Sequence, residues 1–181
     1  MKITNTPLKD CYIIEPTVFE DERGYFFEKF NEKKFEDLTG MNGHFVQDNI
    51  SKSSYGVLRG LHLQKGDSAQ AKLVSCLEGR VLDVAVDLRL DSPTFGKWFS
   101  LELTAENRLQ LYIPRGFGHG FSVLSKSAVF SYKCDNFYHK ESEGGVLWND
   151  TDLNIDWQLP VEDIILSEKD KNLPPFSFKN F

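Results

Sequence analysis

The chain has 181 residues, 40% of them hydrophobic and 27% charged, which suits one folded domain over residues 1–181 and excludes a disordered chain. Its formal charge is −6 with no basic run, which argues against nucleic acid or an anionic membrane as a partner, and no stretch approaches the ~20 apolar residues of a membrane span. Residues 1–10 are polar without a signal-peptide core, and Cys11, Cys76 and Cys134, odd in number and widely spaced, read as reduced thiols in a cytoplasm.

In chain order, the run Tyr25-Phe26-Phe27 puts aromatics on both faces of a strand, so they need two places to bury. Residues 32–39 predict a helix, with Asn31 as N-cap and Gly40 as its stop. Residues 81–88 alternate, with Leu82, Val84, Val86 and Leu88 on one face and Val81, Asp83, Ala85 and Asp87 on the other. Taken on spacing alone, the second face reads as solvated. Residues 98–104, 109–113 and 128–134 alternate in the same way, and residues 161–171 predict a short C-terminal turn or helix. Many short strands broken by Gly, Pro, Asn and Asp point to an all-β antiparallel sandwich or barrel with small peripheral helices.

His44 and His139 sit among polar loop signals and read as surface residues. His62 lies in an apolar strand, where an imidazole needs a partner. His119 lies in Pro114-Arg115-Gly116-Phe117-Gly118-His119, whose Pro-x-Gly-x-x-His spacing resembles the second motif of the cupin superfamily, a jelly-roll barrel in which that His is usually a metal ligand. The first cupin motif normally supplies His-x-His and then Glu. Here it reads His62-Leu63-Gln64, so the cupin shape is expected without a metal or other cofactor.

Longer matches are more specific. They are Asp21-Glu22-Arg23-Gly24-Tyr25-Phe26-Phe27-Glu28, Phe45-Val46-Gln47-Asp48-Asn49, Gly56-Val57-Leu58-Arg59-Gly60-Leu61-His62, Ala69-Gln70-Ala71-Lys72, Asp83 to Arg89, Ile113 to Phe121, Tyr132-Lys133-Cys134 and Ser167-Glu168-Lys169-Asp170. In this order the chain resembles the dTDP-4-dehydrorhamnose 3,5-epimerase family, a metal-free branch of the cupins. Leu63, Ser68, Arg115 and Gly118 depart from the family's usual wording beside these positions.

The resemblance implies an isomerase acting on a nucleotide-diphosphate-linked 4-keto sugar. The ketone acidifies the protons on carbons 3 and 5, and a base and an acid on opposite faces of the ring invert those centres through an enolate. By resemblance, His62 is the base, Asp170 its carboxylate partner, Tyr132 the acid and Lys72 the cation at the enolate oxygen, with Asp83 or Asp87 as its counter-charge. The last role reverses the solvated reading of the Asp83 face. Arg23, Arg59 and His119 are expected at the diphosphate, and Phe26, Glu28, Gln47 and Asn49 at the base and sugar. Glu143 and Lys169 match further substrate contacts, and Tyr138 a stacking one. Arg23, Arg59, Lys72, His119 and Lys169 would then gather a positive pocket within an acidic chain. Strand parity puts Arg59 and His62 on opposite faces, unless a bulge at Gly60 resets the register.

A homodimer is also implied, with residues 23–28 reaching the neighbour's pocket. Relatives set out the alternatives: a dTDP- or a GDP-linked substrate, the latter a 4-keto heptose, and inversion at both carbons or at carbon 3 alone. From other classes, a metal-dependent cupin oxygenase lacks its ligands, and a non-catalytic sugar-binding cupin sits poorly with His62, Tyr132, Lys72 and Asp170 all present.

Overall fold

The computed structural model describes residues 1–180. Among them, the strands in chain order are β1 (Lys2–Asn5), β2 (Tyr12–Glu15), β3 (Val18–Asp21), β4 (Gly24–Phe27), β5 (Gln47–Ser54), β6 (Leu58–Gln64), β7 (Lys72–Glu78), β8 (Arg80–Asp87), β9 (Trp98–Thr104), β10 (Gln110–Ile113), β11 (Phe117–Val123), β12 (Ser127–Cys134) and β13 (Glu143–Gly145). The helices are α1 (Glu32–Thr39) and α2 (Glu168–Lys171). No helix of the described residues is long and apolar enough to cross a membrane.

Helix α1 forms as its caps predict. Asn31 Oδ1 accepts from the Lys34 N–H at 3.0 Å, and Gly40 ends the helix in the left-handed region at φ 69°. The C-terminal expectation is met in two separate pieces. Residues 161–171 form a 3-10 turn, Val161–Asp163, an extended stretch and then α2, whose N-cap is Ser167. The stretch is extended because it pairs with the chain before β6: the Ile165 N–H donates to Gly56 O at 2.8 Å, and the Leu58 N–H to Ile165 O at 3.0 Å.

The strands form a jelly-roll barrel. One sheet runs β1-β2-β10-β7-β12-β5 and the other β13-β6-β11-β8-β9, with β3 and β4 as a separate hairpin. Three apolar clusters explain the layering. Leu111, Ile113, Val74, Ala85, Phe121 and Phe130 fill the space between the sheets. Leu82, Val84 and Val86 face outward and are roofed by Val146, Leu153 and Trp157 of the C-terminal segment. Ile14, Leu73 and Tyr112, on the outside of the other sheet, are roofed by α1 through Phe35.

Covering both sheets from outside turns the polar faces inward. Strand β8 is buried along both faces after Arg80, and Asp83 and Asp87 are fully buried, so spacing alone misread that face. Asp87 is satisfied locally: Arg89 Nη2 donates to it at 2.8 Å, and the Ser92 and Thr94 hydroxyls at 2.5 and 2.6 Å. It therefore serves the loop after β8 and is not the counter-charge of Lys72.

The difficulty between Arg59 and His62 is resolved at Gly60. His119 pairs with His62 while Phe121 pairs with Arg59, so three residues of β6 span two of β11 and the register shifts. Gly60 has φ 123°, and a Cβ there would lie 2.5 Å from Gly120 Cα. Only glycine permits this close approach of the two strands.

Candidate active site

The site is built from the inner faces of the two sheets. His62 on β6 and His119 on β11 are direct cross-strand partners. His62 Nε2 lies 2.6 Å from Asp170 Oδ1, so a residue of α2 is delivered to the barrel by the C-terminal segment. Asp170 is almost completely buried, and it also takes the Ser167 hydroxyl at 2.5 Å on Oδ2 and the Gly60 N–H at 3.3 Å on Oδ1. Burial opposes ionisation of Asp170, but His62, Ser167 and Gly60 together hold its carboxyl below the ordinary value. The pair is therefore a half-exposed imidazole backed by an ionised, fully coordinated carboxylate. Ser167 was missed as a site residue in the sequence. The Ser-x-x-Asp spacing of a helix N-cap was the available signal, because one hydroxyl both caps α2 and orients Asp170.

The opposite wall comes from the six-stranded sheet. Its inner face carries Gln47 and Asn49 on β5, Tyr132 and Cys134 on β12, and Lys72 on β7. Cys134 pairs with both Gln47 and Lys72, and Tyr132 with Asn49 and Val74. Tyr132 packs beside Phe130, whose ring stacks on His119 with centroids 6.0 Å apart. That contact joins the two walls, so His62 and Tyr132 belong to opposite sheets facing one interior. Burial raises the Tyr132 phenol, with Cys134 and Glu143 adding to it and Arg59 opposing. It keeps its proton at neutral pH.

Lys72 belongs to the six-stranded wall, and its charge couples to Asp83 on the other. Burial pushes its ammonium below the ordinary lysine value, against the pull of Cys134, Asp83 and Glu143. Of the two expected counter-charges, it is Asp83 that faces Lys72. His119 Nε2 meets Asp83 Oδ1 at 2.8 Å, and Asp83 Oδ2 is buried without a hydrogen-bond partner among the described residues. Burial drives His119 down, more strongly than Asp83 raises it, and Lys72 and His62 push the same way. His119 is thus a neutral ring held against Asp83, so it adds no charge to the expected positive pocket.

The rim carries the remaining expected residues. Arg59 is exposed and hydrogen-bonded to Ser53 Oγ through Nε at 3.3 Å and Nη2 at 3.2 Å. Lys169 is ion-paired with Glu143, so these two expected contact residues meet at the rim. The Tyr138 hydroxyl also donates to Glu143, at 3.2 Å, while its N–H donates to Gln47 Oε1 at 3.1 Å. Arg23, Phe26 and Glu28 stand apart from this set within one chain. Arg23 pairs with Asp21 at the tip of the β3–β4 hairpin, Glu28 with Lys34 and Asn31, and Phe26 is 70% exposed.

A pH effect on stability follows from His119. An unfolded histidine takes up its proton near ~6.5, whereas the folded ring resists. Below that pH the unfolded state binds more protons, so stability falls as pH falls from about 6.5 toward the folded value. The urea midpoint should drop between about pH 7.5 and about pH 5.5, and drop less in His119→Gln. An equal drop in both proteins assigns the effect to another group.

Comparisons with known proteins identify the family. A family model described as dTDP-4-dehydrorhamnose 3,5-epimerase matches residues 5–177. A dTDP-4-dehydrorhamnose 3,5-epimerase of Shigella flexneri is 56% identical over 172 residues, covering 95% of this chain and 94% of its own. The crystal structure of the enzyme of that name from Elizabethkingia anophelis NUHP1 is 77% identical with a TM-score of 0.97, covering 100% of this chain and 99% of its own. A dTDP-6-deoxy-D-glucose-3,5-epimerase from Legionella pneumophila Philadelphia 1, solved in complex with dTDP-4-keto-L-rhamnose, is 49% identical with a TM-score of 0.90, covering 97% of this chain and 98% of its own. With a family model across nearly the whole chain and relatives this similar over their full length, the chain belongs to the dTDP-4-dehydrorhamnose 3,5-epimerase family.

Proposed function

We propose that this chain epimerises carbons 3 and 5 of dTDP-4-keto-6-deoxyglucose to give dTDP-4-keto-rhamnose, and that the observation carrying the reading is the placement of His62 and Tyr132 on opposing sheets, with Lys72 on the inner face beside Tyr132. Inverting a carbon through an enolate needs proton removal on one face of the sugar and delivery on the other. His62 removes the proton. The ionised Asp170 stabilises the imidazolium that forms, and because Nε2 is turned to Asp170, Nδ1 is the nitrogen that exchanges protons. The electrons pass from carbon to the carbon 4 oxygen, where the Lys72 ammonium meets the developing charge in a setting that weakens it little by solvent. Tyr132, still protonated, returns a proton to the far face. Neutral His119, held by Asp83, lines the cavity beside Lys72, and no redox cofactor or metal enters this scheme.

Arg59 binds the diphosphate, and Gln47, Asn49, Tyr138, Glu143 and Lys169 contact the sugar or base from the rim. The chain works as one cytoplasmic domain and as a homodimer. Its β3–β4 hairpin, with Glu28 just beyond, carries Arg23 and Phe26 to the partner's site. The exposed Phe19 and Phe26, cross-strand partners on one hairpin face, support that reading. The product would supply a surface polysaccharide, as in lipopolysaccharide or capsule.

The test is solvent exchange. In heavy water with dTDP-4-keto-6-deoxyglucose, deuterium should enter at both carbons 3 and 5. Entry at carbon 3 alone would make the chain a single-centre epimerase, and no entry would overturn the reading. Tyr132→Phe should keep proton removal, seen as exchange, while losing most net inversion.

A further inference from the structure

Outside the cavity, the least explained charged group is Arg108, in the turn between β9 and β10. Its side chain is mostly buried, and its Nε is buried without a hydrogen-bond partner among the described residues. Its backbone sits in the left-handed region at φ 54°, which disfavours long side chains. A local clasp holds it there. Asn107 Oδ1 accepts from the Thr104 and Leu109 N–H groups, each at 3.1 Å, and the Arg108 N–H donates to Thr104 O at 3.2 Å.

The guanidinium then reaches the β3–β4 hairpin at two points. Nη1 donates to Glu20 Oε1 at 3.2 Å, and Cζ lies 4.2 Å from the centroid of the Tyr25 ring. Glu20 and Tyr25 are direct cross-strand partners, so one guanidinium grips both strands of the hairpin at one level. Phe19 and Phe26 are the next pair and point to the other face, and Arg23 lies in the turn beyond. A cavity of about 70 Å³ lies between hairpin and sheet, lined by Tyr25, Phe27, Lys29, Ser75 and Arg108 among others.

We propose that Arg108 is a positioning residue for the reaction. It latches the hairpin at a fixed angle, so that Arg23 and Phe26 are presented to the nucleotide-sugar already in place. The proposal rests on the arm reading given under the proposed function. Preordering the arm lowers the cost of binding and leaves the proton transfers untouched.

Arg108→Met, which keeps length and removes charge, should raise KM for dTDP-4-keto-6-deoxyglucose about three- to tenfold and leave kcat within about twofold. Arg108→Lys should recover part of the loss, since an ammonium can still reach Glu20. Arg23→Ala is measured alongside. If Arg23→Ala raises KM and Arg108→Met does not, the latch is overturned while the arm reading stands. If neither changes KM, the arm reading falls and takes the latch with it. Should Arg108→Met fail to fold, Glu20→Gln cuts the ion pair from the exposed side, and an unchanged KM there overturns the latch equally.

Discussion

Replacing His62 by alanine should lower kcat/KM by about 10²–10⁴-fold and remove deuterium exchange at both carbons, with nucleotide affinity nearly unchanged. The size follows from what is lost. His62 is a partly exposed imidazole backed by Asp170, whereas His119, also beside a carboxylate, is buried, bound to Asp83 and made a weaker base by that burial. His119 is therefore a poor substitute for His62. The fold should survive, because Asp170 keeps the Ser167 hydroxyl and the Gly60 N–H, and His62 is not among the groups filling the apolar clusters. The check is exchange monitored by NMR, beside a titration with dTDP and a urea melt. Exchange within tenfold of wild type in a folded variant would remove His62 from the role of base.

Lys72→Met should cost about 10²–10³-fold in kcat, the amount associated with one preorganised group at a developing oxyanion. Lys72 bears its charge where burial opposes it, beside Asp83 and across from Cys134. Such a group is costly to keep for stability alone. Its removal relieves the buried ammonium and takes the compensating charge from Asp83, and the two effects oppose each other. Stability should therefore stay within about 1 kcal/mol while activity collapses. Paired measurements of kcat and urea stability decide it. A variant that loses stability in proportion to activity would make Lys72 a structural ion-pair member, and one retaining a third or more of wild-type kcat would leave the oxyanion role without support.

Much of the fold was legible from local pattern. Helix α1 appeared where Asn31 and Gly40 bracket it, and β9 over Trp98–Thr104, because caps and alternation act within a few residues. The bulge at Gly60 was legible as a need: two side chains at odd spacing had to serve one cavity, and glycine was the residue able to reset the register. The inward turn of Asp83 was not legible from alternation. A polar-alternating strand reads as half solvated, and only the covering of its outer face by Val146, Leu153 and Trp157 sends the aspartates inside. The state of His119 was likewise hidden, since desolvation belongs to the surroundings and not to the residue.

By itself, the sequence determined the strands, the capped helix and, through motif order, the family and the residue types that carry acid–base chemistry. The tertiary structure alone decided which of them meet. It brought Asp170 from the C-terminal helix to His62, set Tyr132 on the sheet opposite His62, held His119 neutral against Asp83, paired Lys169 with Glu143 and left Arg23 and Phe26 on an outlying hairpin. The physical reason is range. Periodicity and caps are settled by neighbours along the chain, whereas burial, pairing and charge state depend on which distant segments close over a group.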